Sequence, residues 1–519
     1  MQQARVRLGD VLTRRAFVAG VTAGGAAACA RGPSIRTLLP EVTHGVQAGD
    51  VQAGRALVWA RCSEPALMQV EWSTTSDFSQ AHRVNGPRVG PATDRTGTIA
   101  LAGLPAGQTI HYRARFTREG ERGTSAWASG RFRTPRPNQV RLAWSGDTCG
   151  QGFGINPNWG GLQCYAGLRA IEPDFFLHSG DMIYADNPIP AELKLADGRV
   201  WRNQTNWRVA RVAQELDDFR ARFAYNLQDA HVRALASEVP ILAQWDDHET
   251  HNNWWPGQRL DDERYRQRDA SQLAAYARRA MFEWTPIGGG TAPGAAAIQR
   301  VISYGPLLDV IVVDLRSFRT PNDDNRGPER AMLGRTQAEW LVETLARSQA
   351  KWKIVACDQP LGLVIPDGPS GELNEGFGNG EGPPRGREVE LASVLSAIAA
   401  RGVKNVVWLT ADVHYASAHH YDPDRATLGP GSAPFRAFWE FVAGPLHAIS
   451  GEPKPLDPTF GPQLRFQWAP PAGSGGLAPW DGLQNFGSVE IDGARDGIAV
   501  RIHDLQGREK YKVELAYEG

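Results

Sequence analysis

The sequence predicts a mixed α/β protein with an all-β module in front of it, and three observations predict it. From about residue 38 to 135 the chain consists of short alternating or apolar segments punctuated by Gly and Pro, the pattern of an all-β sandwich. Beyond it, apolar strand-like runs recur at wide intervals with longer helical stretches between them. That alternation builds strands and helices around buried sheets. Finally, 519 residues with 42% hydrophobic content exceed one ordinary core, so two or more folding units with a large interior are expected.

At the N-terminus, Thr13-Arg14-Arg15-Ala16-Phe17 precedes a weakly apolar, Ala- and Gly-rich run over 18–28. Residues 1–30 therefore read as a twin-arginine export signal, with the twin-arginine export machinery as a partner and a periplasmic or secreted mature protein. Cleavage is expected after Ala28 or Ala30, and Cys29 leaves a lipoprotein anchor as the alternative. After this segment no run of about eighteen apolar residues occurs, so no transmembrane segment is expected in the mature chain. Cys62, Cys149, Cys164 and Cys357 are widely spaced in a long chain and do not form a disulfide framework pattern.

The β module, 38–135, has strand candidates at 56–61, 68–73, 98–101 and 111–117. Its Leu104-Pro105-Ala106-Gly107 turn ahead of Tyr112-Arg113-Ala114 resembles the strand-turn-strand corner of fibronectin type III or immunoglobulin-like modules. Pro135-Arg136-Pro137-Asn138 reads as a linker to a second unit over 139–519. There, strands are expected at 140–145, 175–178, 241–245, 308–314, 352–356 and 406–410, and helices at 216–226, 271–284, 337–347 and 388–400. The Gly- and Pro-dense segment 368–386 reads as a long mobile loop, either a lid or a solvated excursion.

Charge narrows the function. Lys plus Arg (56) nearly balance Asp plus Glu (57), so no electrostatic case exists for a nucleic-acid or anionic-membrane partner. The chemistry is concentrated at strand ends instead. The runs finish in Ser145-Gly146-Asp147, His178-Ser179-Gly180-Asp181, Trp245-Asp246-Asp247-His248-Glu249, Cys357-Asp358 and Thr410-Ala411-Asp412-Val413-His414. One aspartate after a strand is ordinarily a cap or turn residue. Five at the carboxyl ends of strands, where α/β sheets place their ligand crevices, are costly to bury together unless cations neutralise them. The spacing His248-Glu249-Thr250-His251 lacks the full helical turn between histidines that the zinc-protease motif needs. No nucleophile elbow for a covalent serine mechanism is present. The glycines of Gly150-Gln151-Gly152-Phe153-Gly154 precede no Lys-Ser/Thr, so they are not a nucleotide P-loop, and they are expected to let the loop pass close to the metals.

Gly180-Asp181-Met182-Ile183-Tyr184-Ala185-Asp186 resembles the Gly-Asp-x-x-Tyr-Ala-Asp block of purple acid phosphatases, members of the calcineurin-like metallophosphoesterase superfamily. With Asp147, Asp247-His248-Glu249 and Asp412-Val413-His414 in the same order, the closer resemblance is to PhoD-type alkaline phosphatases, over essentially the whole chain. The fold this implies is two packed mixed β-sheets flanked by helices. The resemblance also implies that Asp147, Asp181, Tyr184 and His414 ligate an iron (Fe3+) site, with Asp181 bridging to a second site of Asp247, Asp358 and Asp412. Aspartates stand in that second site where purple acid phosphatases carry Asn and His, and oxygen donors suit hard cations. Calcium beside iron is the expected pair, with manganese, magnesium or zinc as alternatives. His248 is expected to stabilise the transition state or act as general acid. Arg316, with Arg319, is a candidate clamp on phosphate oxygens. The expected reaction is hydrolysis of a phosphate-ester substrate, monoester or diester, by a metal-bound hydroxide. A phospholipase D-like phosphodiesterase, using Trp159, Trp254 and Trp255 for an apolar group, is the alternative within hydrolases. A calcium-stabilised, non-catalytic surface binding protein is the alternative from another class.

Overall fold

The computed structural model describes residues 39–118, 120, 123–288, 298–429, 434–495 and 497–519. The expected export signal and Cys29 lie outside the described residues.

Two mixed sheets pack face to face. The first has nine strands, ordered Glu509–Ala516, Gly497–Asp504, Asn485–Asp492, Gln139–Ser145, Phe175–Ser179, Ile241–Gln244, Val42–Gln52, Arg55–Cys62 and Thr96–Ala102. The second has seven, ordered Arg300–Ser303, Leu308–Val312, Trp352–Ala356, Val406–Thr410, Phe438–Val442, Ala416–Tyr421 and Pro462–Trp468. Both are parallel at their centres, as strands joined through helices must be. Between them lies one apolar core, including Leu142, Trp144 and Leu177 from the first sheet and Ile354, Leu409 and Phe441 from the second. Trp144 Nε1 donates across it to the Thr410 carbonyl, 3.3 Å away.

Helices cover the outer faces. Leu216–Asn226, Ala230–Glu238 and Ala270–Trp284 bury Phe219, Leu235, Met281 and Trp284 in a second cluster with Phe176 and Ala243 of the nine-stranded sheet. Arg335–Arg347 and Arg387–Ala400 bury Leu341, Leu345, Leu391 and Leu395 in a third cluster with Ile311, Val355 and Trp408. Alternation of side chains along each strand sends successive residues to opposite faces, which is why Ile354 and Val355 belong to different clusters. Helix starts follow local rules: Asp229 and Asp269 accept from the first free N–H groups of their helices.

The N-terminal all-β region carries a four-stranded sheet, ordered His82–Val89, Ala66–Ser73, Thr109–Thr117 and Ala128–Arg133. Its other strands are part of the nine-stranded sheet, because Val42–Gln52 pairs in parallel with Ile241–Gln244 through Gly49 and Ile241. Tyr112 adds a hydrogen bond to the Ser237 carbonyl at 3.3 Å. Residues 39–519 accordingly form one compact unit. The expected linker is pinned as well: Arg136 pairs with the buried Asp174 at 2.9 Å, and the Pro135 carbonyl accepts from Gly107 N.

The segment 368–386 differs from its expectation as a mobile loop. Asn374, Glu375, Phe377 and Asn379 are buried. The buried Arg387 donates to the carbonyls of Asn374, Glu375 and Gly376 at 3.1, 2.7 and 3.3 Å, and to those of Thr320 and Pro321 at 3.0 and 3.3 Å. Composition signalled a loop, but a guanidinium with five donors supplies the backbone partners that a buried loop requires. Among the described residues no helix is long and apolar enough to cross a membrane, and Cys62, Cys149, Cys164 and Cys357 are buried and free.

Candidate metal centre

Parallel order brings the carboxyl ends of six strands to one edge of the two-sheet sandwich. From the first sheet come Asp147, Asp181 and the pair Asp246-Asp247; from the second come Arg316, Asp358 and the pair Asp412, His414. Gln244 ties the two sheets together there, its amide donating to the carbonyls of Val313 and Ala356 at 2.9 and 3.1 Å. Asp147, Asp181, Asp412 and His414 all have left-handed φ values of 67, 51, 68 and 62°. Such backbone is unfavourable for non-glycine residues and clusters at functional sites.

Donor atoms fall into three overlapping groups, each with its atoms within 4.8 Å of one another: Asp147, Asp181 and His414; Asp181, Asp247 and His248; Asp246, Asp247 and Asp412. Asp181 belongs to two of them. Tyr184 joins the first through its hydroxyl, 2.7 Å from His414 Nε2, and its ring stacks on His248 with centroids 4.2 Å apart. Gly150 makes this possible, since a Cβ there would lie 2.7 Å from Cζ of Tyr184. His414 Nδ1 donates to the Ile449 carbonyl at 2.6 Å, which leaves Nε2 as an acceptor facing the acids. Burial lowers its pKa to about 4, so the ring is neutral, the ligating form. Asp358 falls in none of the three groups; its Oδ2 lies 3.4 Å from Arg316 Nε.

The cluster holds more buried acid than the nearby His248 and Arg316 charges offset. Burial, then the neighbouring carboxylates, push Asp147, Asp181, Asp358 and Asp412 well above the usual carboxylate range. Asp247 is the exception: burial opposes its ionisation, but the His248 and Arg316 charges hold its pKa at about 2. Neither carboxylate oxygen of the buried Asp147 has a hydrogen-bond partner, nor do Oδ2 of Asp246 and of Asp358. Buried carboxylate oxygens are ordinarily paired or bound to metal. An oxygen-rich donor set with one imidazole and one phenol therefore fits a pair of cations.

Arg316 differs from its expected placement as a phosphate clamp. Its side chain is 0% exposed, and each of its nitrogens faces a carboxylate. Nε lies 2.7 Å from Asp246, NH1 2.5 Å from Glu375, and NH2 against Asp246 and 3.6 Å from Asp412. Arg319 is likewise buried, against Glu375, Gln359 and Asn322. Six or more carboxylates converging on one edge draw in the nearest guanidinium as counter-ion.

Sequence reasoning passed over three acids. Asp186, inside the motif already quoted, accepts from His248 Nδ1 at 2.7 Å and from Asn252 N at 3.1 Å. Burial opposes protonation of His248, yet the Asp186 and Asp247 carboxylates raise its pKa to about 10. Glu249 accepts from the backbone N–H groups of Asp181, Met182 and Asp246 at 3.1, 2.5 and 2.7 Å, stapling two strand ends together. Asp246 sits in the third donor group beside its expected neighbour. Each was adjacent in sequence to a chosen residue, but only distance assigns its partner. Of the tryptophans, Trp254 is core against Trp245, and Trp159 packs on Trp201 and His447.

Comparisons with known proteins identify the family and the fold. A family model described as PhoD-like phosphatase matches residues 142–502, and one described as PhoD-like phosphatase, N-terminal domain, matches 27–136. Alkaline phosphatase D of Bacillus subtilis (strain 168) is 25% identical over 413 residues, 74% of this chain and 67% of that protein. A solved structure titled "Structure of PhoD" superposes with a TM-score of 0.65 at 18% identity, over 91% of this chain and 88% of the other. Purple acid phosphatase PPD1 from yellow lupin (Lupinus luteus) seeds gives a TM-score of 0.57 at 12% identity, over 92% and 74%.

Proposed function

The chain belongs to the PhoD-like phosphatase family, and on that premise we propose that it hydrolyses phosphomonoesters, phosphodiesters or both at the acidic strand-end cluster. The observation that carries this is Asp181, shared by two donor groups, one of them containing His248. On this reading Asp147, Asp181, Tyr184 and His414 hold an iron-type cation. Asp181, Asp247, Asp412 and Asp358 hold a second, for which calcium is the first choice and manganese, magnesium or zinc are alternatives. When bound, such a pair supplies a lowered pKa for a nearby water and charge neutralisation for the phosphate.

The chain's own residues do the rest. Asp186 fixes His248 Nδ1 as a donor, so Nε2, 4.0 Å from Asp247 Oδ1, is the nitrogen turned to the reacting phosphate. The reaction exchanges the phosphorus–oxygen bond to the alcohol for one to a water oxygen. His248 Nε2 delivers a proton to the departing alcohol oxygen, and the proton lost by the attacking water passes to solvent. Arg316 serves as the internal counter-ion of Asp246, Asp358 and Asp412. Export through a signal over residues 1–30 completes the proposal, with lipoprotein anchoring at Cys29 as the lesser form.

The test is elemental analysis of the native protein together with hydrolysis of chromogenic monoester and diester substrates. Asp181→Asn should lose metal from both positions and at least 10²-fold in kcat. A fully active Asp181→Asn protein would sink the proposal.

A further inference from the structure

The clamp on phosphate oxygens expected of Arg316 and Arg319 is not available, since both guanidiniums are buried against carboxylates. A cleft of about 570 Å3 offers other donors, for Gln151 and Asn187 line it together with His248. Each of the two amides has its oxygen held by a backbone N–H. Gln151 Oε1 accepts from Ile449 N at 3.1 Å, and Asn187 Oδ1 accepts from Gln151 N at 2.9 Å. A backbone N–H can only donate, so the oxygen of each amide is the atom that faces it and the NH2 end is turned the other way. Neither Gln151 Nε2 nor Asn187 Nδ2 donates to any of the described residues. Both side chains belong to half-buried residues tied to the acidic cluster by short paths. Gly150, next to Gln151, packs on the Tyr184 ring; Ile449, which holds Gln151, accepts from His414 Nδ1 at 2.6 Å; Asn187 follows Asp186, the partner of His248. Gln151 has a left-handed φ of 49°, a conformation that a non-glycine residue keeps only where its surroundings impose it.

We propose that the NH2 groups of Gln151 and Asn187 bind the non-bridging oxygens of the substrate phosphate beside His248. The inference rests on the phosphoesterase reading and names the uncharged donors of that same site. A proton delivered from His248 Nε2 requires the ester oxygen at that nitrogen, which brings the other oxygens of the same phosphate into the cleft that the two amides line. A guanidinium in this place would be drawn into ion pairs with the carboxylates, as Arg316 is. An amide donates to a phosphate oxygen without that competition. Because each amide is already held through its oxygen, its N–H groups need not reorganise as charge develops on the phosphate, the condition under which fixed donors contribute most.

The experiment uses Gln151→Glu and Asn187→Asp in the metal-loaded enzyme. Each substitution keeps the oxygen that accepts from the backbone and removes only the NH2 group, so a purely structural role for the amide is preserved. The readouts are inhibition by inorganic phosphate, kcat/KM for p-nitrophenyl phosphate and bis(p-nitrophenyl) phosphate, and metal content. Each variant should weaken phosphate inhibition by about 10- to 100-fold and lower kcat/KM at least as far, with metal content unchanged. The loss should persist in about 0.5 M NaCl, where through-space repulsion between the new carboxylate and phosphate is screened. Phosphate inhibition and turnover within about twofold of the native enzyme, or a loss that vanishes with salt, would overturn the proposal and leave the phosphoesterase reading standing. Metal loss in either variant would assign that amide to the metal cluster and overturn the proposal as well. If the native enzyme hydrolyses neither ester, the phosphoesterase reading falls and this inference with it.

Discussion

On the proposed mechanism, Asp186 and His248 form a pair in which the carboxylate positions the ring and the imidazole delivers the proton. With Nδ1 held at 2.7 Å, the ring presents Nε2 in one orientation and the imidazolium is favoured. Asp186→Asn keeps the shape but offers a weaker and ambiguous partner, so kcat should fall by about 10²-fold while metal content is retained. His248→Ala should fall at least as far, and the double variant no further, since the two act as one unit. Additive losses, or metal loss in Asp186→Asn, would assign Asp186 a different role. Arg316 is a residue-scale case of the opposite kind. Replacing it by Met fills the volume but leaves Asp246, Glu375, Asp358 and Asp412 without their internal cation. In the metal-free protein this should cost about 3–5 kcal/mol, measured by urea unfolding, and added metal should recover part of it.

Among the elements, the segment 368–386 separates composition from structure. Its Gly and Pro content says loop, and a loop it is, but Arg387 holds its middle down by carbonyl contacts. Lysine carries the same charge without the planar fork. Arg387→Lys should therefore expose 368–386 to limited proteolysis at a rate the native protein does not show, with global unfolding little changed. Unaltered cleavage would mean that other contacts hold the segment. The six strands expected between 140 and 410 were legible to within a residue or two, 352–356 and 406–410 coinciding with Trp352–Ala356 and Val406–Thr410, whereas Val42–Gln52, His82–Val89, Ala128–Arg133 and every strand from Ala416 onward were not expected. Buried parallel strands are continuous apolar runs, and that signal is local. The four expected helices were equally visible, Leu216–Asn226 over its whole expected length, but the shorter Cys164–Ala170 and Ala230–Glu238 were not expected.

At the scale of the whole molecule, two buried neutral histidines give the fold an acid limit. Burial lowers the pKa of His178 to about 3 and of His447 to about 4. In the unfolded chain both titrate near 6.5. As pH falls below about 6.5 the unfolded state takes up protons first, so stability is full above that value. It declines below it and levels off only near pH 4 for His447 and near pH 3 for His178. The raised strand-end acids act in the opposite sense in the EDTA-treated protein, so the test is relative: between pH 7 and pH 4.5 the urea midpoint of the native protein should drop against that of His447→Gln. An equal change in both would show that His447 contributes nothing to it. The sequence by itself determined the mixed α/β class, the all-β N-terminal region, the acid-bearing strand ends and the resemblance that those motifs carry. All of these are written in residues a few positions apart. Only the tertiary structure decided that the N-terminal strands extend the large sheet, that Arg316 lies among the acids, and that Asp186 orients His248. Those partners are 70 and 62 residues apart in the chain for Arg316–Asp246 and His248–Asp186, and charge and hydrogen bonding act over distances in space, which no local pattern of residues records.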